Sequence, residues 1–436
     1  METANSAPDQ RPQEDLPASR LTSLVPGDDV RPVLIEPDLS FINNLSKQCG
    51  ETFVKCFQCG TCGATCALSP DREPFPRKEM IWAAWGWKDR LLKDPDIWLC
   101  HQCNDCTVNC PRGARPGDVL AAIRQQCVAH YSFPRFLARW VGQPQSLLLL
   151  VGIATILLTL ALLLRGRLEG FFGITYPVDE AIIFPYSSAF FPRWLLNGFF
   201  FSITGLVLLV ATIGVVRFWK TVEVVGGGMP ATSARPGLLQ SVVTVVKNII
   251  THEKFSQCTQ ARSRSWSHML VFFGFLALTV VTLWVITIRV NPLLTDGFAY
   301  PFDFWSPWKL WANLGGAAVL SGCLWMIWER LRDAENGGSN YFDWSFVGLL
   351  LLVVGSGFFT EVLHYVRLEP HRHIVYFGHL VLAGTLIMYL PYSKFAHVIY
   401  RTAAMVHAEY TGRGLESAPD RTTSTPDGMK EGLEHG

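Results

Sequence analysis

Long apolar segments in the middle and C-terminal parts of the chain constrain its fold most. Leu147 to Leu164 carries no charge over a length that crosses a bilayer core at 1.5 Å per residue. Five further segments follow at approximately Trp194–Phe218, Met269–Ile288, Leu310–Trp328, Trp344–Leu363 and Ile374–Ala396. Six such runs argue against a buried soluble helix bundle and predict six transmembrane helices.

The composition agrees with a membrane environment and argues against nucleic-acid binding. Of 436 residues, 49% are hydrophobic and 17% are charged, which is too apolar for an ordinary soluble two-domain protein. Thirty-seven Lys and Arg nearly equal 36 Asp and Glu, so there is no overall basic field. We therefore expect the lipid bilayer, and no nucleic acid, as a partner.

The remaining sequence divides into regions of different character. Residues 1–40 are rich in proline and polar side chains, which predicts a disordered tail. Residues 41–140 have a globular composition with helix start signals and no strand-like alternation, and they precede a membrane domain over residues 141–405 and a polar tail over 406–436. The predicted fold class is all-α, with a helical N-terminal domain followed by a six-span bundle.

The expected location is the cytoplasmic membrane, with both the N-terminal domain and the C-terminus in the cytoplasm. No apolar segment follows Met1, and Arg135 and Arg139 precede the first predicted span. Basic residues are modestly more frequent in the loops that this topology places inside. The longest inner loop repeats apolar residues at helical spacing from Leu238 to Ile250. It predicts an amphipathic helix, lying on the membrane surface or against another protein of a complex.

Eight of the twelve cysteines form two C-x2-C-x2-C-x3-C runs, the pattern of bacterial two-cluster ferredoxins. In that pattern the fourth cysteine of each run binds the other cluster. The predicted ligand sets are Cys56, Cys59, Cys62 and Cys110 for one [4Fe-4S] cluster, and Cys100, Cys103, Cys106 and Cys66 for the second. Zinc is disfavoured because tetrahedral sites use two separated ligand pairs. The first run departs from the pattern, since Ala67 rather than proline follows Cys66.

The four other cysteines stand alone in the sequence, and we expect them to be small packed residues. They are Cys49, Cys127, Cys258 and Cys323.

Histidines in the apolar segments are candidate haem ligands, because an imidazole in a membrane span is costly. His379 and His397 are 18 residues apart, which is five helical turns and about 27 Å. One helix could thus hold a b-type haem near each membrane surface. We pair His268 with His397 and His364 with His379. Both pairs together would hold two haems, and the first pair alone would hold one. In the alternative, each histidine only forms hydrogen bonds within the bundle.

Several motifs resemble known redox proteins. Phe75 to Glu79, Asp94 to Cys103 and Cys110 to Asp118 resemble the iron-sulfur C subunit of heterodisulfide reductases. Arg264 to His268, together with the 18-residue histidine interval, resembles nitrate reductase gamma-type cytochrome b. The order of both parts in one chain is similar to the C subunit of quinone-interacting membrane-bound oxidoreductase (Qmo) complexes.

The Qmo resemblance implies particular partners, and the sequence departs from the nitrate reductase pattern at one position. It implies two flavin-containing subunits of the same complex, and adenylylsulfate (APS) reductase as electron partner in dissimilatory sulfur metabolism. Leu278 stands where the nitrate reductase family has a second histidine. The outer haem then takes His364 as its ligand, or only one haem binds.

The expected function is electron transfer between a membrane quinone (menaquinone or ubiquinone) and a soluble partner, as part of an oxidoreductase complex and without substrate chemistry of its own. Glu361, His364 and Arg367 share a helical face and form one candidate quinone site, unless Glu361 simply pairs with Arg367. An inner site near His268 with Arg262 or Arg264 is the other.

Two rival interpretations remain at this point. The chain could serve a heterodisulfide reductase-like or sulfite reductase-associated complex. It could also be an iron-sulfur redox sensor or a transporter, although the sequence shows neither a convincing repeat nor a mid-span carboxylate.

Overall fold

The computed structural model describes residues 34–70, 74–173, 190–222, 236–252, 258, 262–295, 302–332 and 340–413. Throughout these residues the secondary structure is helical, with no β-strand, as the sequence predicts. From Pro37 onward the described residues belong to one compact unit. The two predicted tails fall mostly outside the described ranges.

Eight short helices form the N-terminal part of this unit: α1 Leu39–Cys49, α2 Thr61–Thr65, α3 Arg77–Ala84, α4 Lys88–Lys93, α5 Asp96–Leu99, α6 Asp105–Val108, α7 Pro116–Tyr131 and α8 Arg135–Val141. Helix α1 begins where the Asp38 carboxylate accepts a 2.9 Å hydrogen bond from the Phe41 backbone N–H. Pro116 opens α7 at a position where no backbone donor is needed.

Ten further helices follow within the described ranges: α9 Leu147–Leu163, α10 Arg165–Phe172, α11 Arg193–Thr221, α12 Leu238–Thr251, α13 Arg262–Val290, α14 Pro292–Thr295, α15 Pro307–Arg332, α16 Tyr341–Val366, α17 His371–Met388 and α18 Ala396–Thr411. Five of them, α9, α11, α13, α15 and α16, are long and apolar enough to cross a membrane. They correspond to the first five predicted spans. Helices α13 and α15 approach closely at Gly274, where a Cβ would lie 2.6 Å from the Gly315 carbonyl oxygen.

The sixth predicted span, Ile374 to Ala396, is wrong as one continuous helix. Helix α17 ends at Met388, a 3-10 turn covers Leu390–Tyr392, and α18 begins at Ala396. Pro391 explains the break, because it has no backbone N–H and its ring clashes with the preceding turn. The break is held by the Tyr392 hydroxyl, which donates a 2.6 Å hydrogen bond to the Phe133 carbonyl.

An aromatic cluster joins the N-terminal helices to the membrane helices. The Trp98 and Tyr400 rings stack with centroids 5.4 Å apart, and Tyr131 meets Phe218 edge to face at 5.3 Å. All four residues are buried. These residues come from α5, α18, α7 and α11. Helix α18 therefore packs into the same core as the cysteine-bearing region.

The amphipathic helix predicted in the long loop is present as α12. Its Ser241 and Val245 are buried, and the helix packs against α18. Leu239 and Val243 on its other side are exposed. What this apolar side contacts, lipid or another protein, stays a prediction.

Candidate electron-transfer site

The two cysteine runs adopt the same backbone path, although their sequences differ. Gln58 and Gln102, each directly before the second cysteine of its run, have positive φ angles of 58° and 55°. Gly60 and Asn104, each directly after that cysteine, are also left-handed. A short helix, α2 or α6, follows in each run. Non-glycine residues held in this region cost energy, so the repeated geometry indicates a constraint imposed by the site.

The first predicted ligand set comes together in one recess. Cys56, Cys59, Cys62 and Cys110 all line it, alongside Arg77. Cys110 of the second run thus lies beside three thiols of the first run, and its role as their fourth ligand stays a prediction. The Gln58 amide also donates a 3.4 Å hydrogen bond to the Cys56 sulfur. Such contacts to ligand sulfurs tune the potential of a bound cluster.

The second ligand set is grouped in the same crossed manner. Burial raises the pKa of the Cys66 thiol to about 12, and the neighbouring Cys100 and Cys103 add to that rise. Burial also raises the pKa of Cys106, with further contributions from Cys100, Cys103, Cys66 and then Cys62. Cys106 thus lies within electrostatic reach of both runs, so the two sites are neighbours. Two sets of four thiols fit two cubanes.

The two sites differ in their access to solvent. In the first set Cys59 is exposed and Cys62 is buried, whereas in the second set Cys100 and Cys106 are buried and the other two cysteines are partly buried. The first site therefore opens to the surface, and the second faces the protein interior.

A partly buried arginine connects the second site to α18. Arg401 of α18 donates hydrogen bonds to the backbone carbonyls of Cys100, at 3.1 Å, and Leu99, at 3.4 Å. His397 lies four residues earlier on α18, which is about one helical turn. The first turn of α18 thus adjoins the second cysteine site.

His268 and His397, the pair expected on the cytoplasmic side and called the inner histidines below, lie close together. His268 and Arg401 both act electrostatically on His397. Nδ1 of His397 is 2.5 Å from the Lys394 carbonyl oxygen, so it donates its proton there and leaves Nε2 as a ligand atom. Burial lowers the pKa of His397 to about 3. The neutral imidazole that a haem requires is therefore the stable form.

The sequence interpretation missed a third histidine at this place. His252 ends α12 with a left-handed φ of 52°, and its ring centroid is 5.6 Å from that of His268. A histidine directly after an amphipathic helix was the available signal. His252 and His268 are 16 residues apart in the sequence, so spacing alone does not predict that the two rings lie together.

His379, expected on the opposite side of the membrane and called the outer histidine below, is held by α16. Its Nδ1 lies 3.0 Å from the Ser356 hydroxyl oxygen, and that hydroxyl donates to the Val353 carbonyl at 2.9 Å. The serine oxygen therefore accepts from Nδ1–H, and Nε2 of His379 stays available as a ligand atom. A Cβ at Gly357 would lie 3.2 Å from the His379 ring, so glycine leaves room for the imidazole.

The break at Pro391 corrects the predicted geometry of the two ligands. His379 and His397 lie on different helices, α17 and α18, rather than along one stripe. His364 is seven residues beyond Gly357 on α16, about 10 Å along its axis from the place where His379 packs. The pairing of His364 with His379 stays a prediction.

The candidate quinone site at Glu361 and Arg367 contains an ion pair other than the expected Glu361–Arg367 pair. Glu361 pairs with Lys309 of α15 at 3.1 Å and accepts a 3.2 Å hydrogen bond from Asn313. Arg367 ends α16 in the left-handed region, with φ 56°. Of the inner candidates, the Arg262 side chain lies outside the described residues. Quinone binding at either place stays a prediction.

Of the isolated cysteines, Cys127 and Cys323 are buried, as expected, and Cys49 is partly buried. Cys258 is also buried, but its sulfur lies within 4.8 Å of ligand atoms of Cys103 and Asp105. It therefore adjoins the second cysteine site. No local sequence signal points to that contact, because Cys258 lies 155 positions after Cys103 in the chain.

Comparison with known proteins identifies both parts of the chain. Residues 142–418 match the family model for citrate utilization protein B, and residues 53–114 match that of the 4Fe-4S dicluster domain. Citrate utilization protein B of Escherichia coli is 26% identical over 379 residues, which cover 80% of this chain and 88% of the relative. The dicluster domain implies two [4Fe-4S] clusters.

The N-terminal part is also similar to the C subunits of heterodisulfide reductases. The C subunit of H(2):CoB-CoM heterodisulfide,ferredoxin reductase from Methanothermobacter marburgensis is 34% identical over 90 residues, 20% of this chain and 48% of that protein. A protein of Archaeoglobus profundus that is itself similar to the heterodisulfide reductase C subunit is 37% identical over 83 residues, 19% of this chain and 44% of the relative. The chain thus spans about half the length of these two relatives.

No solved structure matches this chain significantly. The resemblance to the heterodisulfide reductase C subunit is confirmed, and membership of the Qmo group stays a prediction. The matched family extends over more than half of the sequence and includes all five long apolar helices. The chain is therefore a multi-pass membrane iron-sulfur protein that belongs to the citrate utilization protein B family.

Proposed function

We propose that this protein carries electrons between the membrane quinone pool and a soluble redox partner, using two [4Fe-4S] clusters and b-type haem. The observation that carries the proposal is the Arg401–Cys100 hydrogen bond. It fixes the second cysteine site against the helix that bears His397. A place for an iron-sulfur cluster and a candidate haem ligand are thus direct neighbours.

The clusters and the haem, when bound, supply one-electron chemistry, and the protein supplies ligands, burial and hydrogen bonds. The two crossed cysteine sets would hold the clusters. Nε2 of His397 and the imidazole of His268 would hold an inner haem. The Nδ1 partner of His397 matters because its hydrogen bond with the Lys394 carbonyl fixes the tautomer and orientation of the ring.

The order of these sites supports a route from solvent to membrane. Cys59 is exposed at the first site, whereas Cys100 and Cys106 are buried at the second. His397 lies one helical turn from Arg401, which contacts the second site. A soluble partner can approach the first site. The inner histidines lie near the ends of α12 and α13, where a lipid-soluble quinone can approach.

An outer haem is a further part of the proposal. His379 keeps Nε2 available, and Gly357 leaves space beside its ring. The second ligand of that haem is not assigned by these contacts, so the stoichiometry is one or two haems per chain.

The partner expectations extend the same proposal. Two flavin-containing subunits and APS reductase are the soluble proteins that the Qmo resemblance implies. The similarity to the heterodisulfide reductase C subunit supports an oxidoreductase assembly of this general kind. Co-purification from the native membrane identifies which soluble proteins bind.

The test is an optical titration of the purified full-length protein. Dithionite should produce reduced haem α and β bands and bleach the iron-sulfur absorbance, and a water-soluble quinone analogue should reverse both changes. Clusters that reduce and reoxidise without any haem signal would overturn the haem part and favour a sensor. Haem and clusters that stay reduced after quinone addition would overturn the quinone part.

A further inference from the structure

Basic side chains from five parts of the chain gather near Asp343 and the first turn of α18. This inner basic cluster consists of Arg124 on α7, Arg264 on α13, Arg330 on α15, Lys394 before α18 and Arg401 on α18. Each member lies within electrostatic reach of Asp343, of His397 or of another member. The cluster therefore lies where the cysteine-bearing region meets the inner ends of the membrane helices.

The described carboxylates do not balance these charges. Asp343 is buried and pairs with Lys394, and it also faces Arg124 and Arg330. Asp118 lies within reach of Arg264, but it forms a 2.6 Å ion pair with Arg115. Arg401 is already used by the Cys100 and Leu99 carbonyls. Among the residues that the structure describes, Asp343 is thus the main counter-charge for several cations.

Two arginines of the cluster have buried donors without partners. Nε and Nη2 of Arg124, and Nη1 of Arg330, are shielded from solvent and make no hydrogen bond to any described residue. The Arg330 guanidinium lies 5.5 Å from the centroid of the Trp344 ring, which covers one of its faces. Leaving charged donors buried and unsatisfied is costly, so an anionic ligand with several acceptor oxygens would stabilise this arrangement.

Hydrogen bonds of neighbouring residues fix the helices that carry Arg124 and Arg330. Next to Arg124 in sequence, the Gln125 side chain accepts a 3.2 Å hydrogen bond from the Asn340 amide, which ties α7 to the start of α16. Next to Arg330, Glu329 accepts a hydrogen bond from the Ser263 hydroxyl, which ties α15 to α13. The helices that carry the two arginines are therefore tied to their neighbours, and both guanidinium groups act electrostatically on Asp343, which pairs with Lys394.

We propose that Arg124 and Arg330 bind the propionate carboxylates of the inner haem. This inference rests on the proposed function, because it needs the haem assigned to His268 and His397. A planar guanidinium matches a carboxylate with two parallel hydrogen bonds, and haem carries two such carboxylates at one edge. The phosphate of an anionic lipid offers the same chemistry at the inner membrane surface, and the experiment separates the two sources.

The test compares haem with haem dimethyl ester, which lacks both carboxylate charges. The full-length protein is produced in haem-deficient cells, and each porphyrin is titrated while the Soret absorbance is recorded. We expect the wild type to bind haem at least about tenfold more tightly than the ester. In the Arg124→Gln/Arg330→Gln variant that preference should fall by about tenfold. Iron content and cluster EPR signals show whether the variant has folded, and the single Lys variants should retain part of the preference.

Arg139→Gln is the matched control. Arg139 is exposed on α8, beyond the C-terminal end of α7, and it should keep the wild-type preference. A double Gln variant that keeps the full preference for haem would overturn the inference, and loss of bound phosphatidylglycerol in that variant would assign the site to a lipid instead. If the wild type binds neither porphyrin, the proposed function itself fails. If it binds both equally well, only the propionate site is wrong.

Discussion

The Arg401 guanidinium donates a 3.1 Å hydrogen bond to the backbone carbonyl of Cys100, across 301 positions of the chain. Cys100 is a predicted ligand of the second cluster, and Arg401 lies one turn after His397. This contact brings a positive charge and two hydrogen-bond donors to the boundary between the iron-sulfur and histidine sites. It is the structural reason for treating both sites as one electron-transfer path.

Replacing Arg401 by Met should lower the reduction potential of the second cluster. A nearby positive charge stabilises the reduced, more negative form, so its removal makes reduction harder. One charge at about 8–12 Å, with an effective dielectric constant of about 20, corresponds to roughly 50–100 mV. EPR-monitored redox titration measures the shift. Arg401→Lys keeps the charge and should stay nearer the wild type, whereas an unchanged potential in the Met variant contradicts the assignment.

The crossed cysteine pairing predicts which cluster each fourth ligand serves. Cys110→Ala should disturb the first cluster, together with Cys56, Cys59 and Cys62, while leaving the second. Cys66→Ala should disturb the second and leave the first. EPR of the two reduced variants distinguishes the signals, and Cys323→Ala, far along the chain, is the control. If each substitution removed the cluster of its own run instead, the crossed pairing would be wrong.

Substitution of His397 tests the inner haem ligand. His397→Ala should lose the inner haem, because Nε2 of this residue is the ligand atom left available by the Lys394 hydrogen bond. Pyridine haemochrome analysis gives haem per chain, and iron analysis checks that both clusters remain. His371 is exposed at the start of α17, so His371→Ala should keep the full haem content. Equal haem content in both variants would show that His397 is not a ligand, and His252 would then be tested next.

Substitution of Gly357 tests the role of His379 as a haem ligand without changing any polar group. A methyl group at Gly357 would meet the His379 ring at 3.2 Å, so Gly357→Ala should displace the imidazole and reduce haem binding on that side. Low-temperature optical spectra resolve the affected haem. Gly348 lies on the same helix with nothing within 4 Å of an added Cβ, which makes Gly348→Ala a matched control. The same spectrum for both variants contradicts a role for His379 as a ligand.

The features that follow from local sequence were predictable. Five long apolar helices correspond to predicted spans, because crossing a bilayer requires a continuous apolar run. The grouping of Cys110 with the first cysteine run follows from spacing alone, since the x3 step carries the fourth thiol away from its neighbours.

The features that depend on distant parts of the chain were not predictable in the same way. The break at Pro391 is an exception, because it follows from a local residue without a backbone donor, although the apolar run Ile374 to Ala396 continues on both sides of it. His252, Cys258 and Arg401 gain their roles from neighbours on other helices. Spacing cannot reveal such contacts, because tertiary packing creates them.

The central claim is that electrons pass between the clusters and quinone through the inner histidine site. The most direct test reduces the protein with dithionite, removes the excess, and follows cluster reoxidation after a quinone analogue is added. In the wild type both clusters should reoxidise together with the haem, whereas in His397→Ala they should stay reduced many times longer. Reoxidation of the clusters at the wild-type rate in that variant would contradict the account.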